Sequence, residues 1–181
     1  CAVMLELIQG EGGVLPLDKE FIKELAAYCA ENDYLLLVDE VQTGVGRTGS
    51  LFCFQQYDIL PDVVTFAKGI AGGLPMAGGL CNEKCRTVLG PGTHATTFGG
   101  NPIAAAAANV VLDVLDDNMM DEINQKGAYL RDAISAFQSP YVDIVRGMGL
   151  MVGVVLKDGV DRSALVKKLY DQNLLVLTAG S

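Results

Sequence analysis

The sequence lacks tryptophan, has a single histidine and is poor in positive charge. Thirteen lysines and arginines stand against 22 aspartates and glutamates, which gives a net charge of −9. A surface this negative repels phosphate backbones and anionic lipids, so nucleic-acid and membrane partners are disfavoured. No apolar run approaches the roughly 20 residues that a bilayer-spanning helix needs. One imidazole and scattered thiols provide no ligand set, and we predict no metal site.

The cysteines and the ends of the chain also limit the possibilities. The five cysteines are odd in number and form no Cys-x-x-Cys motif. We therefore predict reduced thiols and a cytoplasmic location rather than a disulfide framework. The chain enters an apolar run directly after Cys1 and stops at Ser181, shortly after another apolar run. We expect the chain to be part of a longer protein.

Alternating apolar and amphipathic segments predict an α/β fold. Half of the residues are hydrophobic, which is enough to form a buried core. Short apolar runs bounded by glycine or aspartate predict buried strands, and an amphipathic segment between the first two predicts a helix. The strands fall at 3–8, 34–38, 62–67 and 76–80, and the helix at 16–32. A strand, a helix and a strand in this order indicate a mainly parallel sheet.

After residue 100 the pattern favours helices and a smaller α+β layer. We predict helices at 102–116, 119–137 and 161–172, and strands at 142–146, 150–156 and 174–177. This change divides the chain into three expected parts. They are residues 1–115 as part of a large domain, 116–140 as a helical connection, and 141–181 as part of a C-terminal small domain.

Asp39 and Glu40 follow the apolar strand at 34–38 and mark a candidate site. Ligands of open α/β sheets bind at the carboxyl ends of the strands. A nucleotide is one hypothesis, because an apolar strand ending in Asp-Glu is typical of Mg-nucleotide enzymes and residues 44–49 match Gly-x-Gly-x-x-Gly. The chain has no Gly-x-x-x-x-Gly-Lys-Ser/Thr loop, and no amphipathic helix follows the glycines. We interpret the glycines as a turn.

Lys68 is a second candidate, because it ends the strand at 62–67 and has no other charged residue within five positions on either side. A lysine at an apolar strand end, followed by glycines, suits a desolvated amine that reacts with carbonyls. With Asp39 it supplies two groups that pyridoxal phosphate requires, a lysine for the covalent link and a carboxylate for the pyridine nitrogen. A structural lysine is the alternative.

The segment at 92–102 is a candidate phosphate site. It is rich in threonine and glycine and runs into the predicted helix at 102–116, with Pro102 at its start. Hydroxyls and free N–H groups in such a loop can hold an anion. An ordinary helix cap is the alternative.

Four motifs resemble, in order and spacing, those of the class III, fold type I pyridoxal-phosphate aminotransferases. They are Glu-Leu-Ile-Gln-Gly-Glu-Gly-Gly at 6–13, Asp-Glu-Val-Gln-Thr-Gly at 39–44, Ala-Lys-Gly at 67–69 with Gly-Gly-Leu-Pro at 72–75, and Thr-Thr-Phe-Gly-Gly-Asn-Pro at 96–102. The resemblance implies the large domain of a fold type I enzyme, with pyridoxal 5'-phosphate as cofactor. Lys68 would be the Schiff-base lysine that later moves the substrate proton, and Asp39 would pair with the pyridine nitrogen.

The resemblance also implies roles for neighbouring residues. Glu40 would belong to the cofactor site, Val41 would pack under the ring and Gln42 would contact the phenolic oxygen. Two threonines have predicted contacts outside the cofactor site of their own subunit. Thr97 would bind the phosphate of the neighbouring subunit's cofactor, with Thr96 near the substrate, so that a homodimer shares its sites.

Among family members, the motifs are most similar to those of enzymes that use N2-acetylornithine. Glu11 matches a glutamate that pairs with a carboxylate-binding arginine and lets one site accept two substrates. The implied reaction is transfer of the terminal amino group of N2-acetylornithine to 2-oxoglutarate, giving glutamate, in arginine biosynthesis. Ornithine, succinylornithine and 4-aminobutyrate are alternative donors. The family's amino-terminal phosphate cradle, stacking aromatic and carboxyl-terminal arginine are missing from this chain, so we expect it to be feebly active or inactive alone.

Overall fold

The computed structural model describes residues 1–180, so Ser181, the last residue of the predicted small-domain segment, lies outside the described residues. In chain order the elements are β1 (Ala2–Leu5), β2 (Ile8–Gln9), β3 (Leu15–Pro16), α1 (Lys19–Glu31), β4 (Leu35–Asp39), β5 (Val63–Phe66), β6 (Gly78–Cys81), α2 (Pro102–Val114), α3 (Asp117–Ala136), β7 (Val142–Met148), β8 (Met151–Leu156) and α4 (Arg162–Asp171). Short 3-10 helices lie at Cys53–Tyr57, Lys68–Ala71 and Glu83–Cys85.

The main sheet has the strand order β1-β4-β5-β6. The first three strands run parallel, and β6 returns antiparallel to β5. The crossover from β1 to β4 contains α1, which begins where the Asp18 carboxylate accepts a hydrogen bond from Phe21 N at 2.8 Å. The predicted α/β class with a mainly parallel sheet is confirmed, and so are all four predicted helices, with their ends shifted by up to three residues.

The two faces of β4 differ in what covers them. Leu36 and Val38 face the main core, where they are 3% and 1% exposed, and Ile22 and Cys29 of α1 belong to the same cluster. Leu37 and Asp39 point to the opposite face because side chains alternate along a strand, and both are only half-buried. This alternation decides which strand-end residues can meet a ligand.

The second half of the chain packs on the first through the hairpin of β7 and β8. Met151 of β8 lies in the same core cluster as Leu7 and Ile8. Helix α3 approaches this hairpin so closely that a Cβ atom added to Gly127 would collide with the backbone of Gly149. Among the described residues, no helix is both long and apolar enough to cross a membrane.

Two predicted strands are wrong in part or in whole. The predicted strand at 3–8 is interrupted after Leu5, and Ile8 begins a separate strand, β2, that pairs antiparallel with β3. The predicted strand at 174–177 has no regular structure. A strand needs a hydrogen-bonded neighbour, and in the described part of the chain this apolar run has none, so Leu177 is 97% exposed.

Candidate active site

The fold brings Asp39 and Lys68 to the same edge of the main sheet. Asp39 is the last residue of β4 and is the register partner of Thr65 in the adjacent parallel strand β5. Lys68 follows two residues after β5 ends at Phe66. Glu40 N donates to Thr65 O at 2.8 Å, which extends the pairing just beyond the strand. Two residues that are 29 positions apart in sequence therefore lie at neighbouring carboxyl strand ends, where ligands of open α/β sheets bind.

Local hydrogen bonding orients the Asp39 side chain. Its Oδ1 accepts a hydrogen bond from Val41 N at 2.9 Å, an Asx turn that fixes the carboxylate against the following backbone. Val41 itself is half-buried beside it. Asp39 is half-buried, and its second carboxylate oxygen has no recorded hydrogen-bond partner among the described residues.

Lys68 begins a one-turn 3-10 helix with an unusual backbone conformation. Its φ is 51°, in the left-handed region that side chains rarely adopt. Ile70 and Ala71 of the same turn pack on Ala104 and Ala108 of α2, which holds the turn in place. The Lys68 side chain is exposed, and no carboxylate of the described residues lies within 4.0 Å of its amine. Strained backbone of this kind clusters at functional sites.

Glu40 and Asp39 face opposite sides of the sheet. The Glu40 side chain is completely buried on the core side of the sheet, the side that Leu36 and Val38 also face. The carboxylate accepts hydrogen bonds from Cys53 N at 2.9 Å, Phe54 N at 2.8 Å and the Thr43 hydroxyl. These contacts give Glu40 a structural role, and its membership of the cofactor site stays a prediction. The carboxylate joins the end of β4 to the 3-10 helix at Cys53–Tyr57.

Burial dominates the electrostatics around Glu40. Loss of water raises the pKa of the Glu40 carboxyl, the three donors partly oppose the rise, and the charge of Asp39 adds to it. Burial and the adjacent Glu40 charge raise the pKa of the Cys53 thiol to about 12. Because a thiol needs its ionised form to act as a nucleophile, Cys53 is inert at neutral pH.

Glu11 and Gln42, both predicted site residues, contact each other. Gln42 Nε2 donates to Glu11 Oε1 at 3.0 Å, across 31 residues of sequence. Gly10 makes this possible, because a Cβ atom at that position would lie 2.7 Å from the Gln42 side chain. The amide and the carboxylate therefore join the turn after β4 to the loop after β2.

Later parts of the chain hold the loop that carries Glu11. Arg146 of β7 donates from Nε and Nη2 to Gly13 O, at 3.2 and 2.8 Å. Gly180 N donates to Glu11 O at 2.8 Å. Arg146 is not a predicted site residue, and no local pattern indicates it because its partner lies 133 residues away.

The predicted phosphate segment is open and separate in this chain. Thr96 and Thr97 are exposed in irregular backbone before α2, and no recorded hydrogen bond joins them to Asp39 or Lys68 in the described residues. The Asn101 side chain accepts from Ile103 N at 2.9 Å, which is an ordinary helix cap. The first amides of α2 are thus already occupied, and the hydroxyls of the loop are what an anion could use.

The turn at residues 44–49 confirms the interpretation of its glycines. Residues 41–48 form consecutive turns, and the next helical element is the 3-10 helix at Cys53–Tyr57. A dinucleotide site needs an α-helix whose N-terminus meets the pyrophosphate directly after these glycines. The Gly-x-Gly-x-x-Gly match therefore lacks the structure that would give it function.

The residues at this edge fit two of the groups that pyridoxal phosphate presents. An accessible amine without a carboxylate partner suits the aldehyde, and a half-buried carboxylate with one oxygen free of recorded hydrogen bonds suits the ring nitrogen. Lys68 and Asp39 would hold the cofactor from adjacent strands.

The fold and this lysine–aspartate edge define an α/β protein with the large-domain architecture of fold type I aminotransferases. The chain belongs to the aminotransferase class-III family, whose model matches residues 1–181. Both the predicted family and the predicted fold are confirmed.

Curated relatives have high identity along nearly the whole chain. The acetylornithine aminotransferase of Haemophilus ducreyi is 44% identical over 179 residues, which are 99% of this chain and 45% of the relative. That of Streptococcus mutans is 46% identical over 183 residues, 99% of this chain and 48% of the relative. The chain therefore spans a little under half the length of these relatives.

Solved structures superimpose closely on the chain. The N-acetylornithine aminotransferase of Stenotrophomonas maltophilia has a TM-score of 0.89 at 39% identity, and the match covers 99% of this chain and 48% of that one. The ornithine delta-aminotransferase of Plasmodium falciparum has a TM-score of 0.92 at 34% identity, with the same coverage. Backbone similarity alone thus does not separate the two kinds of enzyme.

Proposed function

We propose that the protein is a pyridoxal-phosphate-dependent aminotransferase in which Lys68 binds the cofactor covalently and Asp39 pairs with its ring nitrogen. The observation that carries this proposal is the position of the two residues at neighbouring parallel strand ends, Asp39 at the end of β4 and Lys68 just after β5. Membership of the class-III family supports it. Because the chain belongs to this family, Asp39 and Glu40 at the end of β4 do not require the hypothesis of a nucleotide-binding enzyme.

When bound, the cofactor supplies an aldehyde carbon that amines attack and a ring that accepts the electron pair left by a departing proton. Asp39 keeps a proton on the ring nitrogen, because an ionised carboxylate favours the charged form of its partner. With its amine free, Lys68 Nζ would take the proton from the substrate carbon and would deliver it to the C4′ carbon of the cofactor. Val41 would pack under the ring, and Gln42 would contact the phenolic oxygen.

We assign the remaining predicted residues to substrate and to the second subunit. Thr97 binds the phosphate of the cofactor in the neighbouring subunit, and Thr96 lies near the substrate, so the active protein is a homodimer. Glu11 pairs with an arginine that binds substrate carboxylates, and this pairing helps the active site to accept two different substrates. Its hydrogen bond with Gln42 supports a position beside the cofactor. In this proposal residues 1–115 and 141–181 belong to two domains joined by 116–140.

The proposed reaction transfers the terminal amino group of N2-acetylornithine to 2-oxoglutarate, as a step of arginine biosynthesis in the cytoplasm. The curated relatives named above, both called acetylornithine aminotransferases, support this donor. Ornithine is the second candidate, because an ornithine delta-aminotransferase superimposes on the chain about as closely as an N-acetylornithine aminotransferase does. Steady-state rates of the full-length protein with both donors separate them, since a higher kcat/KM for ornithine would overturn the first choice.

Reduction of the purified full-length protein with borohydride tests the cofactor link. Hydride addition makes the bond between the lysine and the cofactor permanent, and peptide mass mapping then locates it. We expect a phosphopyridoxyl group on Lys68 and none on Lys84, an exposed lysine of the same chain that pairs with Asp33 at 3.3 Å. An unmodified Lys68 in protein that is yellow before reduction would contradict the proposal.

A further inference from the structure

Thr65 carries an unusual hydroxyl. Among residues 1–180 its Oγ1 is the buried side-chain polar atom that has no hydrogen-bond partner. Buried hydroxyls are nearly always paired, and an unpaired one calls for a specific explanation. The hydroxyl is a donor as well as an acceptor, so a nearby group with a free lone pair would satisfy it.

The sheet register places such a group next to Thr65. Asp39 is its register partner in the parallel strand β4, so the two side chains leave the sheet on the same face. The recorded hydrogen bond to the Asp39 carboxylate, from Val41 N, uses Oδ1 and leaves Oδ2 without a partner in the described chain. On the other side of Thr65, β6 contributes Gly79, which has no side chain to compete for the hydroxyl.

We infer that Thr65 is a positioning residue for Asp39, its hydroxyl donating to the carboxylate when that carboxylate is engaged with a cationic ring nitrogen. The inference rests on the proposed function and extends it by one residue. A second donor holds the carboxylate in one rotamer, so that the oxygen facing the ligand does not turn away.

Binding of pyridoxal phosphate to the full-length apoprotein tests the inference. The variants are Thr65→Val, which keeps the shape and removes the hydroxyl, Thr65→Ser, which keeps the hydroxyl, and Thr87→Val, an exposed threonine that serves as control. A net hydrogen bond corresponds to about a 2- to 10-fold change in an equilibrium constant. We expect Thr65→Val to raise the dissociation constant by about this factor, and Thr65→Ser and Thr87→Val to leave it unchanged.

The same titration in an Asp39→Ala background, which removes every side-chain hydrogen-bonding group at position 39, isolates the partner. If Thr65 acts through the carboxylate, Thr65→Val has no added effect once the carboxylate is gone. The inference is overturned if the wild type binds the cofactor and Thr65→Val has the same dissociation constant. It is also overturned if Thr65→Val raises the dissociation constant by the same factor in both backgrounds. Failure of the wild type to bind the cofactor at all would instead refute the proposed function, and the role of Thr65 with it. Thr65→Ala replaces Thr65→Val if the valine variant does not fold.

Discussion

Replacing Glu40 by alanine should destabilise the protein more than any surface substitution. The change removes the acceptor of two backbone N–H groups, those of Cys53 and Phe54, from a fully buried position. A buried donor left without a partner costs about 1 to 3 kcal/mol, so the two together cost about 2 to 6 kcal/mol. The released Thr43 hydroxyl can rotate to another acceptor and adds little.

Urea denaturation of the full-length protein measures this loss as a change in the free energy of unfolding. Glu83→Ala is a matched control, because Glu83 is 79% exposed and has an ion pair with Arg86 at 3.2 Å. Exposed pairs of this kind contribute less than about 1 kcal/mol. If Glu40→Ala cost no more than Glu83→Ala, the carboxylate would not be the anchor that the hydrogen bonds indicate.

The pH dependence of the same measurement follows from the raised pKa of Glu40. Its ordinary value is 4.5, and burial raises the pKa in the folded protein. Between the two values the folded chain holds a proton that the unfolded chain releases, so the contribution of Glu40 to stability is largest below pH 4.5 and is lost as the pH rises through the folded pKa. Glu40→Gln has no group to titrate there. The wild type should therefore lose stability relative to Glu40→Gln as the pH rises, and a constant difference would contradict the reasoning.

Three further substitutions test the packing around the site. Tyr57→Phe should lower the free energy of unfolding by about 1 to 3 kcal/mol, since the single proton of the buried hydroxyl is shared between two backbone carbonyls at 3.0 and 3.1 Å; an unchanged urea midpoint would contradict this. Gly127→Ala should cost about 1 to 3 kcal/mol by calorimetry, because its Cβ meets the Gly149 backbone; a stabilised variant would refute the packing. Asn101→Ala should cost about 1 kcal/mol through loss of the α2 cap, with Asn101→Asp restoring it.

The strands and the lysine–aspartate edge could be predicted because both depend on local pattern. Continuous apolar runs indicate buried parallel strands, and in such a sheet the residues that follow adjacent strands must share an edge. Asp39 and Lys68 were found in this way. The orientation of Glu40 could be predicted as well, because side chains alternate between the two faces of a strand. Glu40 is two residues after Val38 and four after Leu36, so it faces the core as they do.

Contacts between distant segments could not be predicted in the same way. Nothing in residues 6–13 indicates that Gln42 fills the space beside Gly10, or that Arg146 binds Gly13 O. These contacts depend on how the loops are brought together by the completed sheet and hairpin. The predicted strand at 174–177 was wrong for the same reason. Hydrophobicity predicts a strand, but it does not show which neighbouring strand would pair with it.

The hydrogen bonds from Arg146 to Gly13 O have a consequence for protein synthesis. Translation adds about 5 to 20 residues per second, so the arginine leaves the peptidyl-transferase centre roughly 7 to 27 s after its partner. Throughout that interval the loop that contains Glu11 and Gly13 lacks the two hydrogen bonds from Arg146. A nascent chain that ends before Arg146 would therefore lack this contact, although Gly13 and the whole of β4 have already been made.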